Sequence, residues 1–166
     1  MVADQIYTSF SDNKGGSWSS QTVPFKSSTG FHNYDPELYQ TKNGKLLIAY
    51  NIGPEGPEDN VHNYGVRIRM SNDEGVTWGD EIFVYDAGYT FPTGCWEPVF
   101  LELPSGELQI YFSDESPYLY NLDQCIQLTR SFDGGYTWSN VETISYRPGS
   151  RDGMPTPVIV NDSIVV

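Results

Sequence analysis

Positive charge is scarce in this chain. Nine Lys and Arg stand against 22 Asp and Glu in 166 residues, a formal net charge of −13. A field of that sign repels polyanions, which excludes nucleic acid and anionic membrane surfaces as partners held by general electrostatics. Acidity of this kind reads first as solubility. Long apolar runs are missing too: none approaches the roughly 20 residues of a membrane-spanning helix. No window carries a long helical hydrophobic period. Cysteine is limited to Cys95 and Cys125, too few for a disulfide framework and not spaced as a metal pair. No metal or cofactor is expected. Residues 1–4 show no signal-peptide pattern; the compartment stays open, with a secreted or periplasmic setting as the expectation.

What the chain does have is aromatic side chains (14%), 16 Gly and 11 Pro, a composition that suits an all-β protein rich in turns. It also has a repeat. Ser71-Asn72-Asp73-Glu74-Gly75-Val76-Thr77-Trp78 and Ser131-Phe132-Asp133-Gly134-Gly135-Tyr136-Thr137-Trp138 share the pattern S-x-D-x-G-x-T-W. A worn copy, Ser11-Asp12-Asn13-Lys14-Gly15-Gly16-Ser17-Trp18, has Asn for Asp and Ser for Thr. The three Trp, at 18, 78 and 138, are 60 residues apart. A fixed period of this kind marks a repeat architecture. Alternating segments such as Val66–Met70 and Ile126–Arg130 precede the boxes, which predicts a β-hairpin around each. In such a turn Asp or Asn bonds backbone N–H groups a few residues on, Gly supplies positive φ, and Trp folds back as a small core. The box is therefore a folding device, and no chemistry is assigned to Asp73 or Asp133.

The boxes resemble the Asp-box (BNR) repeats of sialidase-like six-bladed β-propellers. The resemblance implies that each box joins the third and fourth strands of a blade, at the rim far from the active site. About three blades are then present. Residues 1–25 are an outer half-blade with strands at 6–10 and 21–25; 26–86 and 87–146 are blades; 147–166 is an inner half-blade. Residues 26–34 form a connection. Strands at 35–40 and 45–50 flank the Asn43-Gly44 turn, which is a strong hairpin signal, and a loop runs from Asn51 to Tyr64. Three blades fall short of a ring, since propellers have about 4–8. The chain is thus a fragment, or two copies join head to tail as a homodimer of six blades. Cys95 and Cys125 fall on the first and third strands of one blade, roughly 9.5 Å apart, too far for a disulfide.

First strands line a propeller's channel. Aligning them on their prolines puts Asp35-Pro36, Glu97-Pro98 and Thr156-Pro157 in one column at the mouth. Asp35 and Glu97 are the candidate catalytic carboxylates. His32, Tyr34, Trp96, Asp114, Arg151 and Asp152 are the candidate substrate-binding residues, with Asn51 and Glu115 reaching the same face. Carboxylates beside aromatic faces suit a sugar site, so the expected partner is an oligosaccharide or polysaccharide. Trp96-Glu97-Pro98-Val99-Phe100, the run from Gly106 to Glu115, Asp123-Gln124 and Arg151-Asp152-Gly153-Met154-Pro155 resemble the exo-α-1,5-L-arabinanase family. That resemblance implies a retaining exo-hydrolase using two Glu: Glu97 matches one, and the other falls in a later blade, beyond Val166. Sialidase is a poorer match, because no Arg-Ile-Pro motif precedes the first inner strand. The alternative to hydrolysis is a non-catalytic glycan-binding or folding-only propeller fragment.

Overall fold

The computed structural model describes residues 5–166; Met1–Asp4, on which the signal-peptide expectation falls, lie outside the described residues. The described chain is nearly all β. One four-stranded antiparallel sheet holds β1 (Phe31–Gln40), β2 (Leu46–Pro54), β3 (Gly65–Ser71) and β4 (Ile82–Asp86) in that order. A second sheet holds β5 (Cys95–Glu102), β6 (Leu108–Asp114), β7 (Cys125–Ser131) and β8 (Glu142–Ser145). A short 3₁₀ turn, Phe91–Thr93, lies between them. The hairpin of β9 (Val158–Val160) and β10 (Ser163–Val165) follows. These are the four-stranded blades of a sialidase-like propeller.

The blades stack through their faces. Leu47 and Ala49 of β2, with Val66, Ile68 and Met70 of β3, pack against Phe100, Leu108, Ile110 and Phe112 of the next sheet. The opposite face of β2 places Ile48, Tyr50 and Ile52 against Ile6 and Phe25 of the N-terminal segment. Coverage on both sides makes β2 apolar but for Asn51, and seven of its nine residues are buried.

The boxes fold as their residue types require. Ser71 Oγ donates to Asp73 Oδ1 (2.7 Å), and Gly75 N–H donates to Ser71 Oγ (2.9 Å). Thr77 gives its N–H to Asp73 Oδ1 (2.8 Å) and its hydroxyl to Asp73 Oδ2 (2.5 Å). Asp133 repeats this with Ser131 and Thr137. In the worn copy Ser17 N–H still donates to Asn13 Oδ1, but Asn13 Nδ2 now donates to the Ser17 hydroxyl (2.9 Å). The amide reverses one bond and keeps the turn. Glycine alone does not make the bend: Glu74 (φ 59°) precedes Gly75 (φ 86°), so two successive residues are left-handed.

Several expectations are corrected. Segments 6–10 and 21–25 are not continuous strands; one bridge, Thr8 to Thr22, joins them. A two-stranded ribbon with no third strand is marginal, and Pro24 offers no N–H. Residues 31–34 are not a connection: they pair with Asn51–Pro54, which belong to β2 rather than to a loop. Pairing resumes beyond a bulge that the sequence pattern shows only as a proline. Cys95 and Cys125, at the starts of β5 and β7, are free and buried, and both pair with Asp114 of β6.

Candidate active site

The first strand of each sheet breaks register at the same point. In β1 the pairing with β2 slips between Tyr34 and Glu37, across Asp35-Pro36. In β5 the pairing with β6 slips between Trp96 and Val99, across Glu97-Pro98. Both carboxylate residues are left-handed, at φ 49° and 59°, in bulges that re-aim side chains away from the pleat. Met154 before Pro155 has φ 54°. The third member of the column is therefore Met154-Pro155, two residues earlier than the proline alignment places it. Its backbone repeats the left-handed conformation before proline, outside any strand; Thr156 is not left-handed.

Glu97 is half-buried at the edge of a cleft of about 420 Å³ lined by Phe91, Trp96, Glu115, Gln124, Arg151 and Met154, among others. Glu97 Oε2 accepts the Met154 N–H (3.0 Å) and faces the Ser113 hydroxyl (3.4 Å). Trp96 is the aromatic hub. Its ring lies 6.2 Å from Tyr34, stacked, 5.4 Å from Tyr64 and 4.7 Å from Phe91. Tyr34 rests on Gly53, where an added Cβ would sit 2.0 Å from the phenol oxygen. That oxygen is buried without a hydrogen-bond partner, and its burial drives the pKa well up.

The charged groups that line the cleft are Glu97, Glu115 and Arg151. The Arg151 guanidinium is taken by Glu115 and by the Leu122 carbonyl (2.9 Å). Its position comes from a parallel bridge of Arg151 to Gln124, flanked by the bonds of Gln124 N–H to Ser150 O and Asp152 N–H to Gln124 O. Asp35 senses Glu97: partial burial first, then the Glu97 charge, raises the Asp35 pKa, although Asp35 as a residue stays exposed.

Of the residues singled out from sequence, Glu97, Trp96 and Arg151 meet in this cleft, Tyr34 stacks behind Trp96, and Asp35 is coupled to it by charge. His32 sits apart, its Nε2 3.2 Å from the Glu55 carbonyl. Asp114 is fully buried between the sheets. It accepts from Tyr85 OH of the preceding sheet (2.9 Å), Gln127 Nε2 (3.2 Å) and the Ser116 N–H (3.0 Å), so its carboxylate is engaged between and within the blades. Asp152 does not pair with Arg151. It takes Arg147 at 2.6 Å and the Ser145 hydroxyl at 2.9 Å, and the Arg147 bond holds its pKa low. Phe91, Gln124, Ser113 and Met154 were not foreseen. Phe91 lies in a segment that the pattern marks only as a connection; Gln124 and Met154 depend on contacts between segments far apart in the chain, and Ser113 on its place opposite Trp96 in the same sheet. Among the described residues no group of three His, Cys, Asp or Glu is placed to hold a metal ion, and no helix is long and apolar enough to cross a membrane.

Known proteins share this fold. An α-L-arabinanase of Penicillium chrysogenum, solved with arabinobiose, superposes with a TM-score of 0.75 at 25% identity, over 93% of this chain and 46% of that one. An α-L-arabinofuranosidase of Fusarium graminearum, also solved with arabinobiose, gives 0.72 at 23%, over 91% and 44%. A Hadza microbial sialidase gives 0.53 at 19%, over 70% and 26%. The chain thus spans a little under half the length of its arabinanase and arabinofuranosidase structural neighbours. No curated protein sequence matches it. The family described as BNR repeat-like domain matches residues 2–153, and with that match over most of its length the chain belongs to the BNR repeat-like family.

Proposed function

We propose that the chain forms half of an exo-acting arabinanase-type glycoside hydrolase, with Glu97 as one of two carboxylates in a retaining cleavage of plant or microbial glycan. The observation that carries this reading is Glu97 itself. It is half-buried on a left-handed bulge, with one carboxylate oxygen held by the Met154 N–H at the edge of a cleft built on Trp96. Backbone strain of this kind costs about 1–3 kcal/mol and collects at functional sites. Retention needs a second carboxyl about 5–5.5 Å away. Asp35 of the neighbouring blade is the candidate on this chain, and a Glu of the completing blades is the alternative. The cleft favours neutral sugars. Its one lining cation, Arg151, is already matched by Glu115, which counts against a sialidase that must hold a substrate carboxylate.

A second reading is glycan binding without hydrolysis, favoured by the exposure of Asp35 beside the half-buried Glu97. In the hydrolytic reading residues 1–25 and 147–166 are complementary outer and inner half-blades, a second copy joins head to tail to give six blades, and the setting is secreted or periplasmic. The decisive experiment is hydrolysis of α-1,5-arabino-oligosaccharides by wild type and Glu97→Gln, with calorimetric titration of arabinobiose and the solution mass measured in parallel. A loss of about 10²–10⁴-fold in the variant is expected for a proton-transferring or nucleophilic carboxylate. Equal rates in the two proteins remove Glu97 from the reaction. Arabinobiose binding with no turnover in either protein selects the binding module.

A further inference from the structure

The fold uses one unfavourable backbone shape three times. Asp35, Glu97 and Met154 are left-handed, none is glycine, and each stands directly before a proline. Such residues persist only where their surroundings over-determine them. For two of the three, the clamp is visible. Glu97 N–H donates to Asn51 Oδ1 at 2.9 Å, and Met154 N–H donates to Ser113 Oγ at 3.1 Å. Asn51 lies opposite Tyr34, just before the bulge of β1, and Ser113 lies opposite Trp96, just before the bulge of β5. Asn51 and Ser113 are thus the same position of successive sheets. Asn51 reaches across to the bulge of the next sheet and Ser113 to the left-handed residue that precedes the β9–β10 hairpin, and an acceptor oxygen is what they share.

Asn51 is fully buried, and its amide nitrogen is also committed. Nδ2 donates to Gly65 O within its own sheet (3.2 Å) and to Cys95 O in the next (2.8 Å). The amide cannot turn without losing both bonds, so Oδ1 is held pointing at the Glu97 N–H. We infer that Asn51 is a positioning residue: it fixes the left-handed bulge that aims the Glu97 carboxylate into the cleft, where Met154 N–H and Ser113 Oγ receive it. The aim of Glu97 is thereby set from the preceding blade rather than by its own strand. This rests on the reading of Glu97 as a working carboxylate. A residue that merely staples two sheets would affect stability alone.

The test compares wild type, Asn51→Ala and Asn51→Ser, the second restoring an acceptor of the kind used at position 113. Three quantities are read by NMR and calorimetry: hydrogen exchange of the Glu97 amide, the titration of the Glu97 carboxyl carbon, and arabinobiose affinity. In Asn51→Ala the Glu97 amide is expected to exchange at least about tenfold faster, the carboxyl titration to move, and affinity to fall about 3–10-fold, the scale of one lost hydrogen bond. Asn51→Ser is expected to recover most of each. A lower melting temperature in Asn51→Ala with exchange and titration as in wild type overturns the inference. Where Asn51→Ala does not fold, Asn51→Ser decides: a folded protein with an unprotected Glu97 amide and wild-type titration also overturns it, and a protected amide supports it. Failure of wild type to bind arabinobiose counts against the proposed function alone, because exchange and titration are read without ligand.

Discussion

The Asp boxes and the channel mouth use the same parts for opposite ends. Each pairs a carboxylate with left-handed backbone: Asp73 beside Glu74 and Gly75 at the rim, Asp35 and Glu97 on the bulges at the mouth. At the rim the carboxylate is saturated by its own turn. The Thr77 hydroxyl, then its N–H, holds Asp73 down to about 2, and Thr137 does the same for Asp133. At the mouth, partial burial and the neighbouring Glu97 push Asp35 up. A carboxylate whose lone pairs are all taken by its own loop stabilises a fold and has little left to offer a substrate. One crowded by a second carboxylate across a blade boundary keeps its proton more readily, which is how acid and base roles are separated. The difference lies in what surrounds the residue, since the residue type is shared.

The strongest way to break this contrast is to empty a box. Asp133→Ala removes the acceptor of Ser131, Tyr136 and Thr137. It is expected to lower the melting temperature by roughly 3–6 °C and to leave arabinobiose affinity unchanged. A change in affinity without loss of stability reverses the assignment of rim and mouth. A smaller effect is expected in acid. The Asp73 and Asp133 values are depressed in the fold, so their stabilisation is complete above the ordinary value of 3.8 and is lost as pH falls towards about 2. Melts of wild type and of an Asp73→Asn, Asp133→Asn double variant should converge across that window; parallel curves show that the acid sensitivity does not arise in the boxes. The smallest effect belongs to the mouth. The Asp35 value is raised, so ionising it costs stability once pH exceeds the unfolded value of 3.8. Asp35→Asn should melt slightly higher than wild type at pH 7, and the gap should vanish below about pH 4. A variant that is less stable at pH 7 removes the charge conflict between Asp35 and Glu97.

The three boxes were legible because their information is local. Ser, Asp, Gly and Thr lie within eight residues of one another, and the Ser, Asp and Thr side-chain bonds stay inside the turn, so spacing alone identifies them. The cleft was legible only in part. Glu97, Trp96 and Arg151 carry a recognisable run of neighbours, and they do meet. The partners of Asp114 and Asp152 could not be read from spacing: Tyr85 and Gln127 claim the first, and Arg147, five residues away, takes the second in place of the adjacent Arg151. Arg151 goes instead to Glu115, 36 residues distant. Phe91 and Met154 carry no local signal of their role, since a Phe-Pro in a connection and a Met before Pro have many ordinary uses.

From the sequence alone follow the all-β class, the 60-residue period of the boxes and the hairpin held by each one, because turn chemistry and period-two alternation act over a few residues. The pairing of Asn51 with the Glu97 backbone, the burial of Asp114 and the charge coupling of Asp35 to Glu97 were decided only when one blade packed on the next. That packing joins residues 46 and 62 positions apart through contacts no window can contain. The bulges show both at once. Proline marks where the strand breaks, and the neighbouring blade decides where the carboxylate points.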